Sequence, residues 1–335
     1  MSGLRVAVAG ATGAVGQEMM QVLEGRDFPV AELIPLASER SRGKKMSFRG
    51  EDVEVRVLEK DVFSDVDVAL FSAGASISRE FAPAAVDQGA IVVDNSSAFR
   101  YEPEIPLVVP EVNSSSLASH RGIIANPNCT TIIMVVGIAP IHQLSPIRRI
   151  VASTYQAASG AGAKGMDALD RELGGEGGGS DPAEGSPFPY RLAGFLIPRI
   201  DSVEGNGYTR EEMKMVWETR KIMALGEDVS ISATCVRVPI PRAHSESIQI
   251  TLEDAVPLAD IRMAIAAASG VQLSDDAAAD LYPTPLELSG ADDVVVGRIR
   301  QHPNEPNTYD LWIVGDQIRK GAALNAVQIA EKLFP

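Results

Sequence analysis

The chain opens on an unbroken apolar stretch. Residues 5–9 run directly into Gly10-Ala11-Thr12-Gly13-Ala14-Val15-Gly16, and in 17–23 apolar and polar positions then recur at helical spacing. Short continuous apolar runs suit strands buried on both faces of a parallel sheet. Further runs predict strands at 31–36, 53–57, 66–71 and 90–94, with helix between several of them, as at 78–88. Alternation of strand and helix predicts a doubly wound α/β sheet.

The second half has a different texture. Strands are expected at 150–156, 230–240 (alternating from Ser230 to Val238) and 247–252. A helix is expected over 209–225 and another over 255–269, and a hairpin pairs 291–300 with 309–314 through the polar loop 301–308. This suits a second, α+β domain built on a mixed sheet with helices on one face. An amphipathic helix over 318–333 closes the chain and is expected to return to the first domain. The expected division is therefore 1–128 with 315–335, against 129–314. The glycine-rich stretch 174–182 reads as a flexible surface excursion without chemistry.

Composition then narrows the class. A chain of 335 residues is long for one core, so two domains are the default. A formal net charge of −15 argues against nucleic acid and acidic membrane surfaces as partners, and leaves small anionic substrates open. Two cysteines make no disulfide framework and fit a reducing compartment. No apolar run is long enough to span a bilayer, and the start of the chain reads as a strand, not a signal peptide, so a cytoplasmic location is expected. No metal site is expected.

A strand, a glycine turn and a helix in succession can hold a pyrophosphate on backbone N–H groups. Gly10, Thr12, Gly13, Ala14 and Val15 are the candidates, spaced G-x-x-G-x-x-G. After the second strand come Ser38, Glu39, Arg40 and Ser41. Hydroxyls and a guanidinium suit a ribose 2′-phosphate, so Ser38, Arg40 and Ser41 point to NADP(H), although Glu39 opposes that reading and a solvated basic loop is the plain alternative.

Asn126-Pro127-Asn128-Cys129-Thr130-Thr131 precedes a long apolar run that includes Ile132, Met134 and Val136. If the run is helical, Asn128 caps it, and Cys129 sits where orphan N–H groups and the helix dipole favour a thiolate. An inert buried cysteine is the alternative. A nucleophilic cysteine needs a histidine partner, and the chain has four. His120, His142 and His302 read as structural or solvated; His244 follows Pro239-Ile240-Pro241-Arg242-Ala243 in what reads as a loop on a scaffold.

Other stretches complete a pattern: Asn95-Ser96-Ser97-Ala98-Phe99-Arg100, Tyr155-Gln156-Ala157-Ala158-Ser159-Gly160-Ala161-Gly162, Asn206-Gly207-Tyr208-Thr209-Arg210-Glu211-Glu212-Met213-Lys214, Val236-Arg237-Val238-Pro239 and Lys320-Gly321-Ala322-Ala323-Leu324-Asn325. With the glycine turn, the cysteine segment and His244, and in this order over the whole length, the chain resembles the aspartate-β-semialdehyde dehydrogenases. That resemblance implies a fold similar to glyceraldehyde-3-phosphate dehydrogenase and NADPH-dependent reduction of aspartyl-β-phosphate, with release of phosphate, in the biosynthesis of aspartate-family amino acids. It implies Cys129 as nucleophile and His244 as acid/base. It places Gln156, Arg237, Glu211, Arg100, Lys214 and Asn128 at the substrate, and Ser159, Gly160 and Gln317 at the cofactor. Arg237 would take the α-carboxylate through a fork, Glu211 the ammonium, and Arg100 with Lys214 the phosphate. A surface i, i+3 ion pair is the plain reading of Glu211 and Lys214. The implied assembly is a homodimer or homotetramer. The insert at 174–179 departs from the family pattern in a region used for subunit contacts.

The implied chemistry is coherent. A thiolate displaces phosphate from the acyl group, and hydride then reduces the thioester. One histidine near neutral pKa could take the thiol proton and later protonate the oxygen. The rival readings are N-acetyl-γ-glutamyl-phosphate reductase or another acyl-phosphate reductase, and a non-catalytic NADP-sensing regulator. A short-chain reductase is excluded, because none of the six tyrosines has lysine four residues on.

Overall fold

In the computed structural model, which describes residues 3–335, the opening apolar run is β1 (Leu4–Ala9). It is followed by β2 (Val30–Ala37), β3 (Lys45–Phe48), β4 (Glu51–Glu54), β5 (Arg56–Val57), β6 (Val68–Phe71), β7 (Ile91–Asp94) and β8 (Ile123–Ala125). β3 and β4 pair as an antiparallel hairpin; the other six form a parallel sheet in the order β5-β2-β1-β6-β7-β8. The absence of alternation in β1 has a direct cause. Val6 and Val8 pack with Met19, Val22 and Leu23 of the helix Ala14–Gly25 and with Val327 and Ile329 of the helix Asn325–Leu333. Ala7 and Ala9 pack on the opposite face with Ala82 and Ala85 of the helix Ala75–Asp87. Both faces are covered, as a doubly wound sheet requires.

The strand expected at 53–57 is two strands. Between β4 and β5, Val55 turns into the interior and is only 1% exposed. β8 was not foreseen, because three residues carry no periodicity.

The chain divides into two compact units. The first ends at Asn128 and regains Gly321–Pro335; the second is Cys129–Lys320. The second crossing thus falls at Gly321 instead of the expected 315. β14 runs to Gly315, and Asp316 accepts hydrogen bonds from Ile318 N (2.9 Å) and Arg319 N (3.0 Å) and pairs with Arg242, which keeps this segment with the second unit. The expected helix over 318–333 is a π-helical segment, Arg319–Leu324, followed by the α-helix Asn325–Leu333.

The second unit contains β9 (Ile147–Gln156), β10 (Ser230–Arg237), β11 (His244–Leu252), β12 (Val271–Leu273), β13 (Val294–Gln301) and β14 (Thr308–Gly315). Their order is β10-β9-β11-β14-β13-β12, a mixed sheet with parallel pairs at its two edges. The helix Cys129–His142 packs on β11, β13 and β14 and against the helices Arg210–Met223 and Leu258–Ala267. Every residue from Thr130 to Ile141 is buried, so this helix has no polar face and reads in the sequence as a plain apolar run. β10 stops at Arg237, short of the expected 240, because Pro239 and Pro241 cannot donate to a ladder. β11 begins at His244, three residues before the expected start at 247. His244 is therefore a fully buried strand residue and not a loop residue.

Among the described residues no helix is long and apolar enough to cross a membrane, and no group of acidic, histidine and cysteine side chains could hold a metal ion.

Candidate active site

Three strand ends assemble the chemistry of the second unit. Gln156 ends β9 and Arg237 ends β10, paired directly in parallel register, while Ser245 pairs with Tyr155 and so puts His244 at the same edge. Cys129 opens the helix that packs under this edge. Its Sγ lies 3.8 Å from His244 Nε2 and 3.8 Å from Thr130 Oγ1, and Cys129 is half-buried. The other cysteine, Cys235, is buried against Met215, and burial, then the charge of Glu211, pushes its thiol far above the ordinary range. One cysteine thus faces a histidine from a half-buried position, and the other is packed in the interior.

His244 Nδ1 accepts the backbone N–H of Ala157 at 3.1 Å. In the neutral ring the proton is then on Nε2, the atom facing the sulfur. Burial, reinforced by the nearby Arg237 charge, holds the His244 pKa well below its ordinary value, so the neutral ring prevails at pH 7. Arg237 is itself 6% exposed, and its Nη1 donates to the Ala157 carbonyl, so Ala157 orients both side chains. A Cβ at Gly160 would lie 2.7 Å from Arg237 Nη1 and 3.4 Å from His244 Cε1; glycine there leaves room for both.

Gln156 is 2% exposed and its amide is fully engaged: Oε1 accepts from Thr154 Oγ1 (3.2 Å), and Nε2 donates to Thr130 Oγ1 (2.9 Å) and Glu211 Oε1 (3.1 Å). It ties the Cys129 helix to the helix that carries Glu211. Glu211 and Lys214 are not the surface pair that their spacing suggests. Their side chains are 7% and 14% exposed, and Lys214 Nζ bonds Glu211 Oε2 at 3.0 Å and Asp201 Oδ2 at 2.9 Å. Burial opposes the ammonium charge, but Glu211 and Asp201 outweigh it and raise the Lys214 pKa beyond its usual range. For Asp201 burial likewise works upward, and Lys214 reverses it to a net lowering. These two bonds use two of the three ammonium N–H donors. A capping box fixes the helix start: Thr209 N donates to Glu212 Oε2 and Glu212 N to Thr209 Oγ1, while Glu212 Oε1 accepts from Cys235 N of β10.

Gln317 Oε1 accepts from Ala243 N at 2.9 Å and its Nε2 donates to Ser159 Oγ, so these two expected cofactor residues brace the entry into β11. Asn128, 6% exposed, immediately precedes the helix of Cys129. The other histidines accept local backbone N–H groups: His120 from Gly122, His142 from Ile147 and His302 from Asn304.

The first unit holds the remaining candidates. Gly10 has φ +85°, and a Cβ on it would lie 2.6 Å from Ser72 O; on Gly16 a Cβ would lie 2.3 Å from Gly10 O. The turn therefore excludes side chains at both points. Gly13 precedes the helix Ala14–Gly25 with no side-chain cap and no acidic residue in the first turn, which leaves Ala14, Val15 and the turn around Thr12 suited to an anion. Ser38 and Arg40 are exposed, whereas Ser41 is 4% exposed, and Glu39 pairs with Arg42 at 3.1 Å. Lys44 and Lys45, which the sequence did not single out, line a cleft of about 430 Å³ with Thr12 and Gln17. Arg100 is 6% exposed and its Nη2 donates to Asn95 O at 2.9 Å. The loop before it is organised by Asp94, which accepts from Ser78 Oγ, Ser96 N and Ser96 Oγ. The structure describes Arg100 and Lys214 each within its own unit.

With this geometry in view, the comparisons with known proteins are specific. The family profile "Semialdehyde dehydrogenase, NAD binding domain" matches residues 5–120, and "Semialdehyde dehydrogenase, dimerisation domain" matches residues 138–320. The aspartate-semialdehyde dehydrogenase of Synechocystis is 52% identical over 99% of this chain and 98% of its own, and that of Bacillus subtilis 47% over 99% and 97%. Among solved structures, aspartate semialdehyde dehydrogenase II of Vibrio cholerae complexed with ASA superposes with a TM-score of 0.94 at 44% identity, covering 99% of this chain and 98% of that one. A nicotinamide-dinucleotide domain, a sheet domain carrying a Cys–His pair, and relatives of one activity at about half identity converge: the chain belongs to the semialdehyde dehydrogenase family, as an aspartate-semialdehyde dehydrogenase, an oxidoreductase of aspartate-family amino-acid biosynthesis.

Proposed function

We propose that the chain reduces L-aspartyl-4-phosphate to L-aspartate 4-semialdehyde with NADPH, releasing phosphate, through a thioacyl intermediate on Cys129. The observation that carries this is the single half-buried thiol 3.8 Å from a histidine locked by a backbone N–H. In the working form Cys129 is a thiolate, held by the Nε2–H of His244. Sulfur bonds to the acyl carbon, the carbon–oxygen bond to phosphate breaks, and phosphate leaves. A dinucleotide held at the turn of Gly10, Thr12, Gly13, Ala14 and Val15 would supply the hydride that reduces the thioacyl carbon. The resulting oxyanion collapses, the carbon–sulfur bond breaks, and the electron pair returns to Cys129. Phosphate, displaced as the trianion, takes up the one proton that the overall reduction consumes, which solvent can supply; the Nε2–H of His244 serves as hydrogen-bond donor to the sulfur and to the oxyanion.

Arg237 takes the α-carboxylate, and Glu211, already held by Gln156 and Lys214, takes the substrate ammonium. Lys214 and Arg100 serve the phosphate. Asn128, Ser159 and Gln317 act as neighbours that fix the positions of Cys129 and His244. Exposed Ser38 and Arg40 after β2, with Lys44 and Lys45 nearby in sequence, favour the 2′-phosphate of NADP(H). The working assembly is a homodimer built on the second unit, in the cytoplasm.

The decisive experiment is NADP⁺ reduction with aspartate semialdehyde and phosphate, run beside the N-acetylated glutamate semialdehyde. Turnover of the first and not the second is expected. Equal or reversed preference would instead assign the chain to acyl-phosphate reduction of the acetylated substrate, and binding of NADPH without turnover of either would leave a sensing role.

A further inference from the structure

The excursion that the sequence leaves without chemistry is stapled in place. Glu172, in the last turn of the helix Ala163–Leu173, is fully buried. Its Oε1 accepts from Ala183 N at 3.1 Å, and its Oε2 from Leu192 N at 2.7 Å and Ala193 N at 3.0 Å. Three backbone donors on one buried carboxylate close the chain from 183 to 193 into a fixed loop. Two more bonds tighten it: Arg171 Nη2 donates to Glu184 O, and Arg191 Nη2 to Glu172 O. Within the loop lies Pro187-Phe188-Pro189. The following proline disfavours helical backbone at Phe188, so little freedom remains to be lost there on folding.

This loop delivers Phe188 to the active site. The ring is 8% exposed and packs with Ala158, Ala168, Leu169 and Leu192. Arg237 Cζ lies 5.6 Å from its centroid, within cation–π range, while Nη1 of the same guanidinium bonds Ala157 O. Phe188 and Arg237 also line one cavity of about 410 Å³ with Arg199 and Asp201. A guanidinium held by one carbonyl can still turn about that bond; an aromatic ring beside it removes the remaining freedom. A bidentate fork discriminates only when its plane is fixed.

We propose that Phe188, presented by the loop that Glu172 closes, is a positioning residue that sets the plane of the Arg237 guanidinium and so governs affinity for the substrate carboxylate. This rests on the reading of Arg237 as the carboxylate fork. Phe188→Leu keeps apolar volume and removes the ring. In the phosphate-dependent oxidation of aspartate semialdehyde by the full chain, it should raise KM for the semialdehyde about tenfold, as for a desolvated cation–π contact. The KM values for phosphate and NADP⁺ should stay within about twofold and kcat within about threefold. Phe188→Tyr keeps the ring and should restore a KM close to the original. Glu172→Gln should reproduce the Phe188→Leu pattern in weaker form, since the loop loses charge-assisted bonds. In an Arg237→Lys background there is no fork plane to set, and Phe188→Leu should add less than about threefold.

An unchanged semialdehyde KM in Phe188→Leu overturns the proposal. So does a uniform rise in all three KM values with Tyr no better than Leu, which is the pattern of loop damage alone. The underlying reading fails separately: if Arg237→Lys itself leaves the semialdehyde KM intact, Arg237 is not the carboxylate fork whatever Phe188 does.

Discussion

A histidine whose Nδ1 accepts a backbone N–H has a fixed tautomer, and at His244 that turns a question of roles into a measurement. If the Nε2–H acts as a donor to sulfur and to the developing oxyanion, a side chain with an N–H at the same position but no accessible proton chemistry should retain part of the function. His244→Gln offers its amide N–H about where Nε2 lies, and His244→Ala offers nothing. We expect Ala to lower kcat by about two to four orders of magnitude, and Gln to recover at least about tenfold of that loss. Equal activity of the two variants would return the proton-accepting role to His244. Cys129→Ala should abolish turnover while NADPH binding survives, and iodoacetamide should label Cys129 before Cys235, whose thiol is buried and pushed up. Cys129 and its flanking turn were readable from sequence because caps and prolines act locally. The choice of His244 among four histidines was not, since it depends on the Ala157 N–H, brought from another strand by β9–β11 pairing.

At the scale of elements, β11 carries an unusual load. Glu246, two residues after His244 on the same strand, is fully buried, and neither carboxyl oxygen has a hydrogen-bond partner among the described residues. Burial holds its pKa well above the ordinary 4.5, so the folded chain keeps it protonated where the unfolded chain ionises. The folded state then binds the extra proton, and stability falls as pH rises from 4.5 toward the folded pKa. Glu246→Gln removes the ionisation and nothing else of comparable size. Its Tm should exceed that of the parent by more than about 2 °C at pH 8, and the gap should narrow steadily toward pH 5.5. A gap that is constant with pH would mean that Glu246 is ionised in the folded chain or relieved by a partner. Nothing in a single sequence flags such a residue, because Ser-Glu-Ser inside a strand looks solvent-facing. The longer elements were legible for the opposite reason: β1 and the helix from Cys129 are decided by apolar runs that tertiary structure only completes, while β9 alternates and begins at Ile147, three residues before the expected start. Where the boundary differs from the expectation, at Val55 and at the end of β10, a single inward-turning valine and two prolines moved it.

At the scale of the whole molecule, the division at Asn128 and Gly321 puts the glycine turn and Arg100 in one unit and Cys129, His244 and Arg237 in the other. The last helix of the chain packs through Val327 and Ile329 in the apolar cluster that holds Val6 and Val8 of β1, the strand that leads into the glycine turn. Arg40 stands exposed on the turn after β2 of the first unit, so Arg40→Ala should weaken NADP(H) and leave NAD(H) and the semialdehyde KM nearly unchanged, at a cost of about 1.5–3 kcal/mol for one charge-assisted contact. Equal kcat/KM for the two cofactors in the unmodified chain would count against the 2′-phosphate reading.

Assembly is the last property to test at this scale, and the second unit supplies its own argument. One face of the β9–β14 sheet is covered by the helices Cys129–His142 and Leu258–Ala267. Ser153, Ser247 and Trp312 sit side by side in the ladder at alternate positions to the core residues Ala152, Ile248 and Leu311, and so line the opposite face; they are half-buried, and Tyr155 lies 5.5 Å from Trp312 between ring centroids. Small hydroxyl residues and aromatic rings, bordered at Ser247 and Trp312 by residues 282–285, Arg298 and Arg300, make a face that can seat a second copy. The family profile that matches this unit is named for dimerisation. Light scattering should give twice the chain mass of 35.6 kDa. Ser247→Arg would add a bulky charge on that face beside Arg298 and Arg300, and burying it against a second copy would cost several kcal/mol. The variant should run as a monomer at micromolar concentration with the first unit still binding NADPH. If Ser247→Arg kept the doubled mass, the assembly would have to use a different surface of the second unit, and this sheet face would be excluded as the interface.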